Sequence, residues 1–528
     1  MSCDDVDIED AGRAVQATRE ERAPTVLPRR RRQEGADAAE RKVAEAQGVP
    51  GTQTLWIRTF GCAHNSSDSE YMEGLLTSHG FTFTDNPDAA ALWLVNSCTV
   101  KDPSQAAMET VIRKAQAAER PIVVAGCVPQ ADRHLKSLGG VSMIGTQQID
   151  RVVEVVEATL AGAQVRLLGR ARLPRLDLPK VRKNPRVEIV PLSTGCLGSC
   201  TYCKTRHARG KLGSYAPEAI IDRAISALEE EGGAVREIWL SSEDTGAYGI
   251  DLGTSLGALL RRLLPAIAER CPTAMVRLGM TNPPYILDQL DDVAWALSHP
   301  NCYAFLHIPV QSGSDAVLLA MNREYTRADF EAVCDHLLVH VPGVTLATDI
   351  ICGFPGETEG DFEATLELVR KYAFGILNIS QFYPRPGTPA ASMRRLPTAL
   401  VKARSRRLTT MTEAFDPYRS LVGTTQTIHV DLERERVRDA NATPRLVAHT
   451  KTFVKVLIAP DEAAGVVANA TVEARIVAAH RWHCDAELLT VPNRPAKFRR
   501  RPSWGCGQAA VGVGVAILSW WWLAAGPL

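Results

Sequence analysis

An α/β protein in several parts is what this sequence predicts. The parts are an N-terminal α/β sheet domain, a partial (β/α)6 barrel, a small all-β domain and a C-terminal apolar tail. Three observations carry that expectation. Strand-like and helix-like runs alternate in two series, separated by a stretch rich in Arg, Leu and Pro. Three cysteines sit just past strand ends in the first series, and a tight Cys-x3-Cys-x2-Cys follows the first strand of the second. From about residue 425 the pattern turns to short β-like runs.

Element by element, 55–59 reads as a strand punctuated by Gly61 and Cys62, and 67–78 as a helix capped by the polar residues from Asn65 to Asp68. Strand 92–96 runs to Cys98, helix 103–118 follows, and strand 122–125 ends at Gly126 and Cys127. Open α/β sheets place ligands at the carboxyl ends of their strands, so cysteines far apart in sequence can meet there. In the second series the strands are expected near 188–193, 237–241, 275–279, 305–309, 345–351 and 376–382. Helices are expected at 217–231, 256–270, 286–298, 327–340 and 362–372. Six such repeats suggest a barrel open on one side, with chemistry at the strand carboxyl ends. The β-like runs at 426–430, 445–448, 453–458, 466–472 and 475–477 make the small domain. The expected boundaries are a disordered tail 1–52, an α/β domain 53–163, a linker 164–185, a barrel 186–415, an all-β domain 420–485, a basic spacer 486–508 and the tail 509–525.

With 60 basic and 60 acidic residues the chain is neutral, which neither supports nor excludes nucleic acid as a partner. Thirteen cysteines in 528 residues are too sparse for a disulfide scaffold, and no secretory h-region opens the chain. A reducing compartment is expected, where grouped cysteines point to metal or catalysis. The basic run 29–32 reads as part of a solvated tail, with nuclear import or RNA contact as alternatives. The uncharged run 509–525 is at the short end of a membrane span. It carries Trp520, Trp521 and Trp522, and basic residues precede it. It is read as a tail anchor, the alternative being a C-terminal helix packed on the core.

Three cysteines are one ligand short of a closed tetrahedral zinc site. On a 4Fe–4S cluster, three thiolates leave one iron open. For the triplet Cys196, Cys200 and Cys203, Gly195 and Gly198 let the backbone curl round a cluster. Zinc, with His207 as a fourth ligand, stays the alternative. This triplet in its barrel-like context resembles the radical S-adenosylmethionine (SAM) superfamily.

The resemblance narrows through Thr59-Phe-Gly-Cys62-Ala-His-Asn65, Asn96-Ser-Cys98-Thr-Val100 and Ala125-Gly-Cys127-Val-Pro-Gln130, which are similar to the amino-terminal motifs of the methylthiotransferases. The region after 425 resembles their small RNA-binding TRAM domain. Four longer motifs resemble the archaeal and eukaryotic branch acting on tRNA N6-threonylcarbamoyladenosine. They are Cys203-Lys-Thr-Arg-His-Ala-Arg-Gly210, Ser242-Glu-Asp-Thr-Gly-Ala-Tyr-Gly249, Thr348-Asp-Ile-Ile-Cys-Gly-Phe-Pro-Gly-Glu-Thr358 and Gln381-Phe-Tyr-Pro-Arg-Pro-Gly-Thr-Pro-Ala390.

The resemblance implies two 4Fe–4S clusters, one held by Cys196, Cys200 and Cys203 with SAM on its open iron, the other, auxiliary, by Cys62, Cys98 and Cys127. It implies a methylthio group added at C2 of the modified adenosine at position 37, next to the anticodon, with tRNA and an electron-donor protein as partners and the sulfur source unspecified. Glu243, Asp244, Gln311, Gly353 and Arg209 are candidate SAM contacts, each with a plain loop or surface role as alternative. Lys204 and Arg206 could likewise meet SAM's carboxylate or a tRNA phosphate. Lys451, Lys455 and Arg475 are candidate phosphate contacts of the β-domain. Cys271, Cys302, Cys334 and Cys352 have no ligand spacing and read as packing residues. Two other functions stay open at this point: the same reaction on isopentenyladenosine, and a catalytically silent RNA-binding protein. Such a tail is expected to place the protein in the endoplasmic reticulum membrane, facing the cytosol, with the mitochondrial outer membrane as the alternative.

Overall fold

The computed structural model describes residues 25–28, 51–99, 102–230, 233–435, 444–459 and 470–489. The apolar run 509–525, the spacer from 490 onward and the basic run 29–32 lie outside the described residues. Among the described residues, no helix is long and apolar enough to cross a membrane.

The first series forms a seven-stranded sheet. Its order is Thr25–Pro28, Ala163–Leu167, Ser142–Ile144, Ile122–Gly126, Leu92–Ser97, Thr54–Thr59, Thr82–Phe83. All pairs are parallel except the first. The central strands Leu92–Ser97 and Ile122–Gly126 are buried at every position, as a sheet covered on both faces requires. One apolar cluster around Leu55, Met72, Leu94 and Val156 covers one face. Another around Met108, Ile112, Val124 and Met143 covers the other.

Two expectations are corrected here. The segment 1–52 holds the strand Thr25–Pro28, paired antiparallel with Ala163–Leu167. The stretch 164–185 is no free linker. Its beginning completes the sheet, Leu176 enters the barrel core, and the Lys180 ammonium lies 2.9 Å from Glu188 and 3.2 Å from Glu70. The helix expected at 67–78 is Ala63–His79, starting directly after Cys62.

The second series gives six strands close to the expected places: Val187–Pro191, Glu237–Ser241, Met275–Arg277, Phe305–His307, Thr345–Cys352 and Ile376–Gln381. They form two parallel three-stranded sheets. Backbone bonds from Val276 to Asn301 and from Tyr303 to Val276 join them into one wall. Helices Pro217–Glu229, Leu256–Arg270, Arg327–His340 and Glu359–Tyr372 cover its outside, with Cys271, Cys302, Cys334 and Cys352 buried in the packing. The helix expected at 286–298 shortens to Leu290–Ser298 after a 3-10 turn.

The third unit is a closed barrel of Thr425–Arg434, Leu446–Thr450, Lys455–Ile458, Cys484–Leu488 and Thr471–Ala479. Of the two runs expected at 466–472 and 475–477, 471–477 belongs to one strand, Thr471–Ala479, and 466–469 lies outside the described residues. Cys484 packs in this barrel's core. Lys451 corrects a site expectation: its ammonium donates to the carbonyls of Leu297, His299 and Cys302, fastening the small barrel to the large one.

Candidate active site

Parallel register brings the first cysteine triplet together. Thr59 pairs with Asn96 and Ser97 with Gly126, so Cys98 and Cys127 leave adjacent strands side by side, with Cys62 on the next strand's loop. Gly61 has φ +105°, and a Cβ there would stand 2.5 Å from the Cys98 sulfur, so only glycine permits this approach. Asn65, fully buried in the first turn of the following helix, ties the loops together. Its amide donates to the carbonyls of Phe60 at 2.9 Å and Ser97 at 2.8 Å, and its oxygen lies 3.5 Å from the Cys127 thiol. Cys62 is exposed where Cys98 and Cys127 are buried, and the Cys98 thiol, hydrogen-bonded to Cys62, draws the Cys62 thiol down to about 6, with His64 and Arg209 assisting. Burial pushes Cys127 up to about 11, and Arg209 opposes it.

The second triplet curls round the mouth of the large barrel. Gly195 has φ +81° and a Cβ there would meet the Lys211 carbonyl at 2.1 Å. The Cys196 amide bonds to the Gly210 carbonyl, closing the loop on itself. Burial raises Cys196 to about 12, and the neighbouring Asp244 adds to this. Arg323 donates to the Cys200 sulfur at 3.3 Å and also to Asn282, whose amide nitrogen is 2.6 Å from Asp244. Burial raises Asp244 to about 6 in spite of the Asn282 bonds. A polar chain Cys200–Arg323–Asn282–Asp244 therefore rims this loop, and Cys196, Gly198, Asn282 and Arg323 line a small cavity of 30 Å3.

Of the other candidates, Gln311 and Asp244 stay at the barrel mouth. Gln311 has φ +70°, with its amide on the Asp349 carbonyl and its carbonyl receiving Ile351. Glu243 turns away from the mouth toward the first triplet. It accepts from the Gly195 amide at 2.8 Å and faces His64 at 3.1 Å and Arg209 at 3.5 Å. Burial opposes its charge, yet His64 and Arg209 hold its carboxyl below the usual range. Arg209 likewise serves the first triplet, with Asn65 and Asp68 each 2.7 Å away. Gly353 is explained by its φ of +79° and by Val401, 2.5 Å from where a Cβ would lie. Arg475 is exposed and Lys455 half-buried on the small barrel. Lys204 pairs with Asp132 at 3.0 Å, across the seam between the cysteine loops.

A cavity of 500 Å3 connects these parts. Thr99, next to Cys98, lines it together with Cys203, Lys204, Gln311, Asn378 and Arg385. The expected capping role of Asn65 gives way to this loop-tying one, since the helix already begins at Ala63, and Arg323, Asn282 and Arg385 had no expected role. Asn65 and Arg385 lay inside quoted motifs, but Arg323 and Asn282 carry no local signal because their contacts span dozens of residues.

The donor sets fit iron–sulfur clusters better than single ions. Among the described residues, only His480, His483 and Asp485 bring three ligand atoms within 4.8 Å of one another, so each cysteine triplet is spread wider than a one-ion site. Asp485 is already held at 2.7 Å by Arg445.

A six-stranded open barrel with a three-cysteine loop at its mouth defines a radical SAM protein, and residues 190–369 match the radical SAM superfamily. Residues 54–143 match the uncharacterized protein family UPF0004. The chain is 51% identical over 443 residues to the threonylcarbamoyladenosine tRNA methylthiotransferase of Xenopus laevis, covering 83% of this chain and 78% of that one. It is 53% identical over 417 residues to the human protein of the same name, covering 78% and 70%. The probable threonylcarbamoyladenosine tRNA methylthiotransferase of Pyrococcus abyssi is 38% identical over 357 residues, covering 67% and 82%. The chain belongs to the threonylcarbamoyladenosine tRNA methylthiotransferase family.

Proposed function

We propose that this chain inserts a methylthio group at C2 of N6-threonylcarbamoyladenosine at position 37 of tRNA. In this reading Cys196, Cys200 and Cys203 hold the 4Fe–4S cluster that binds SAM, and Cys62, Cys98 and Cys127 hold the auxiliary one. The observation that carries it is the 500 Å3 cavity, whose wall includes residues adjoining both triplets. When bound, two clusters and SAM supply radical hydrogen abstraction and sulfur, chemistry that no side chain performs on an aromatic C–H bond.

The chain's own residues position and enclose. Asp244, Asn282 and Arg323 form a polar rim where SAM's amino and carboxylate groups would sit, with Gln311 on the opposite strand end. Lys204 and Arg385 place positive charge in a cavity that must accept a carboxylate-bearing nucleoside. A base at position 37 leaves its stack to enter. The small closed barrel acts as a TRAM-like RNA-binding domain, with Arg475 and Lys455 toward phosphate. An electron-donor protein supplies reducing equivalents. The run 509–525 serves as a tail anchor in the endoplasmic reticulum membrane, leaving the enzyme cytosol-facing. A fluorescent fusion that keeps its membrane location without residues 505–528 would contradict that placement.

Mass spectrometry of tRNA nucleosides from cells lacking the protein tests the reaction. Loss of the methylthio group on threonylcarbamoyladenosine is expected, and an undiminished signal would overturn it.

A further inference from the structure

We propose that Arg209, which belongs by sequence to the loop of Cys196, Cys200 and Cys203, is the counter-ion of the other site, that of Cys62, Cys98 and Cys127. The proposal rests on the ligand assignment above and adds a residue to it.

The short helix Thr205–Arg209 follows Cys203 and packs on the short helix Cys127–Ala131, so its end is delivered across the seam to the auxiliary loops. Arg209 is 2% exposed. One guanidinium nitrogen lies 2.7 Å from Asn65 Oδ1, the atom that also faces the Cys127 thiol. The same nitrogen lies 2.7 Å from Asp68 Oδ2, and Nε is 3.5 Å from Glu243 Oε1. Asn65 Oδ1 therefore sits between the guanidinium and the Cys127 thiol, and the guanidinium charge favours the thiolate at both Cys127 and Cys62.

A buried guanidinium is costly unless it is paired and hydrogen-bonded. Here Asp68 and Glu243 hold it in place, and it stands one amide oxygen from the buried Cys127 thiol, where water screens poorly. His64, paired with Glu243, is the second basic group beside Cys62. Three thiolates and a cluster gather negative charge at one sheet edge, and reduction of the cluster adds one more. A fixed positive charge beside the cluster favours the reduced form, because cluster potentials follow local charge and hydrogen bonds to sulfur. A residue that only latched the two domains together would leave the potential unmoved.

The test is an EPR-monitored redox titration of the full-length chain with Cys196, Cys200 and Cys203 changed to Ala, so that only the auxiliary cluster loads. Arg209→Met should lower the midpoint potential by at least the equivalent of a tenfold change in a one-electron equilibrium, about 59 mV. Arg209→Lys, which keeps the charge, should restore most of it. Asp68→Asn, which removes an acid facing the guanidinium, should shift the potential the opposite way. A loaded Arg209→Met chain titrating at the parental potential would overturn the proposal, as would shifts of the same sign in Arg209→Met and Asp68→Asn. If Arg209→Met does not load iron, Asp68→Asn decides: a raised potential supports the proposal and an unchanged one defeats it. A parent chain that takes up no iron overturns the ligand assignment itself, and this proposal with it.

Discussion

Replacing Asn65 by leucine removes a side chain that touches all three loops of the first cysteine triplet, at little change in volume. The wild-type amide donates to Phe60 O at 2.9 Å and Ser97 O at 2.8 Å and accepts from Arg209 at 2.7 Å. Each buried group left unmet costs about 1–3 kcal/mol, about 1 for each carbonyl and about 2 for the guanidinium, which keeps Asp68. The sum is about 4 kcal/mol, close to a thousandfold in the equilibrium between gathered and parted cysteines. Since Cys196, Cys200 and Cys203 form their own loop, the damage should stay on one side. Anaerobically reconstituted Asn65→Leu should hold about four irons per chain in place of about eight. It should still cleave SAM and form no methylthiolated tRNA. A variant with the full iron complement and the parental denaturation midpoint would refute the role given to Asn65.

Four further outcomes rest on contacts elsewhere in the chain. Glu188 is fully buried among Lys180, Arg182 and Arg223; burial opposes its charge, but those cations hold its carboxyl down to about 2 from the ordinary 4.5. Its ionised form thus adds about 3 kcal/mol above pH 4.5, lost as pH falls toward 2. Glu188→Gln should unfold at lower denaturant than wild type at pH 7, and the gap should shrink by half or more at pH 3; an equal gap at both would contradict this. Gly353→Ala adds about 1–2 kcal/mol of left-handed backbone strain and a clash with Val401. Adding Val401→Ala should recover the clash but not the strain, and no recovery in thermal unfolding would exclude Val401 as the cause. Lys451→Ala should lower stability by about 2 kcal/mol, from three orphaned carbonyl contacts, without changing the salt dependence of tRNA binding. Arg475→Ala should reduce that salt slope by about one and leave stability alone. The reverse pattern would exchange the two roles.

The fold was legible wherever periodicity is strong. The six barrel strands were placed within a few residues because short, mostly apolar runs alternate with helical stretches. The cysteines were legible because strand ends in parallel sheets converge. Short elements escaped: Ser142–Ile144 has three residues, and Ala163–Leu167 hides at the start of an Arg- and Pro-rich stretch. Long-range polar pairing escaped as well. Lys180 looked like a linker charge because its partner Glu70 is in another domain. Lys451 looked like a surface cation because its carbonyl partners lie some 150 positions earlier. Glu243 and Arg209 were read as SAM contacts, but the seam between the domains turns both toward the loops of Cys62, Cys98 and Cys127, a direction no local pattern carries.

The division of labour between the two cysteine sets is the central claim, and one paired assay tests it most directly. Purified Cys127→Ala and Cys200→Ala chains are reconstituted with iron and sulfide, then supplied with SAM, reductant and tRNA. Deoxyadenosine and methylthiolated nucleoside are quantified together. Cys127→Ala should release deoxyadenosine and make no methylthio product, while Cys200→Ala should do neither. Deoxyadenosine from Cys200→Ala, or methylthiolated tRNA from Cys127→Ala, would contradict the account.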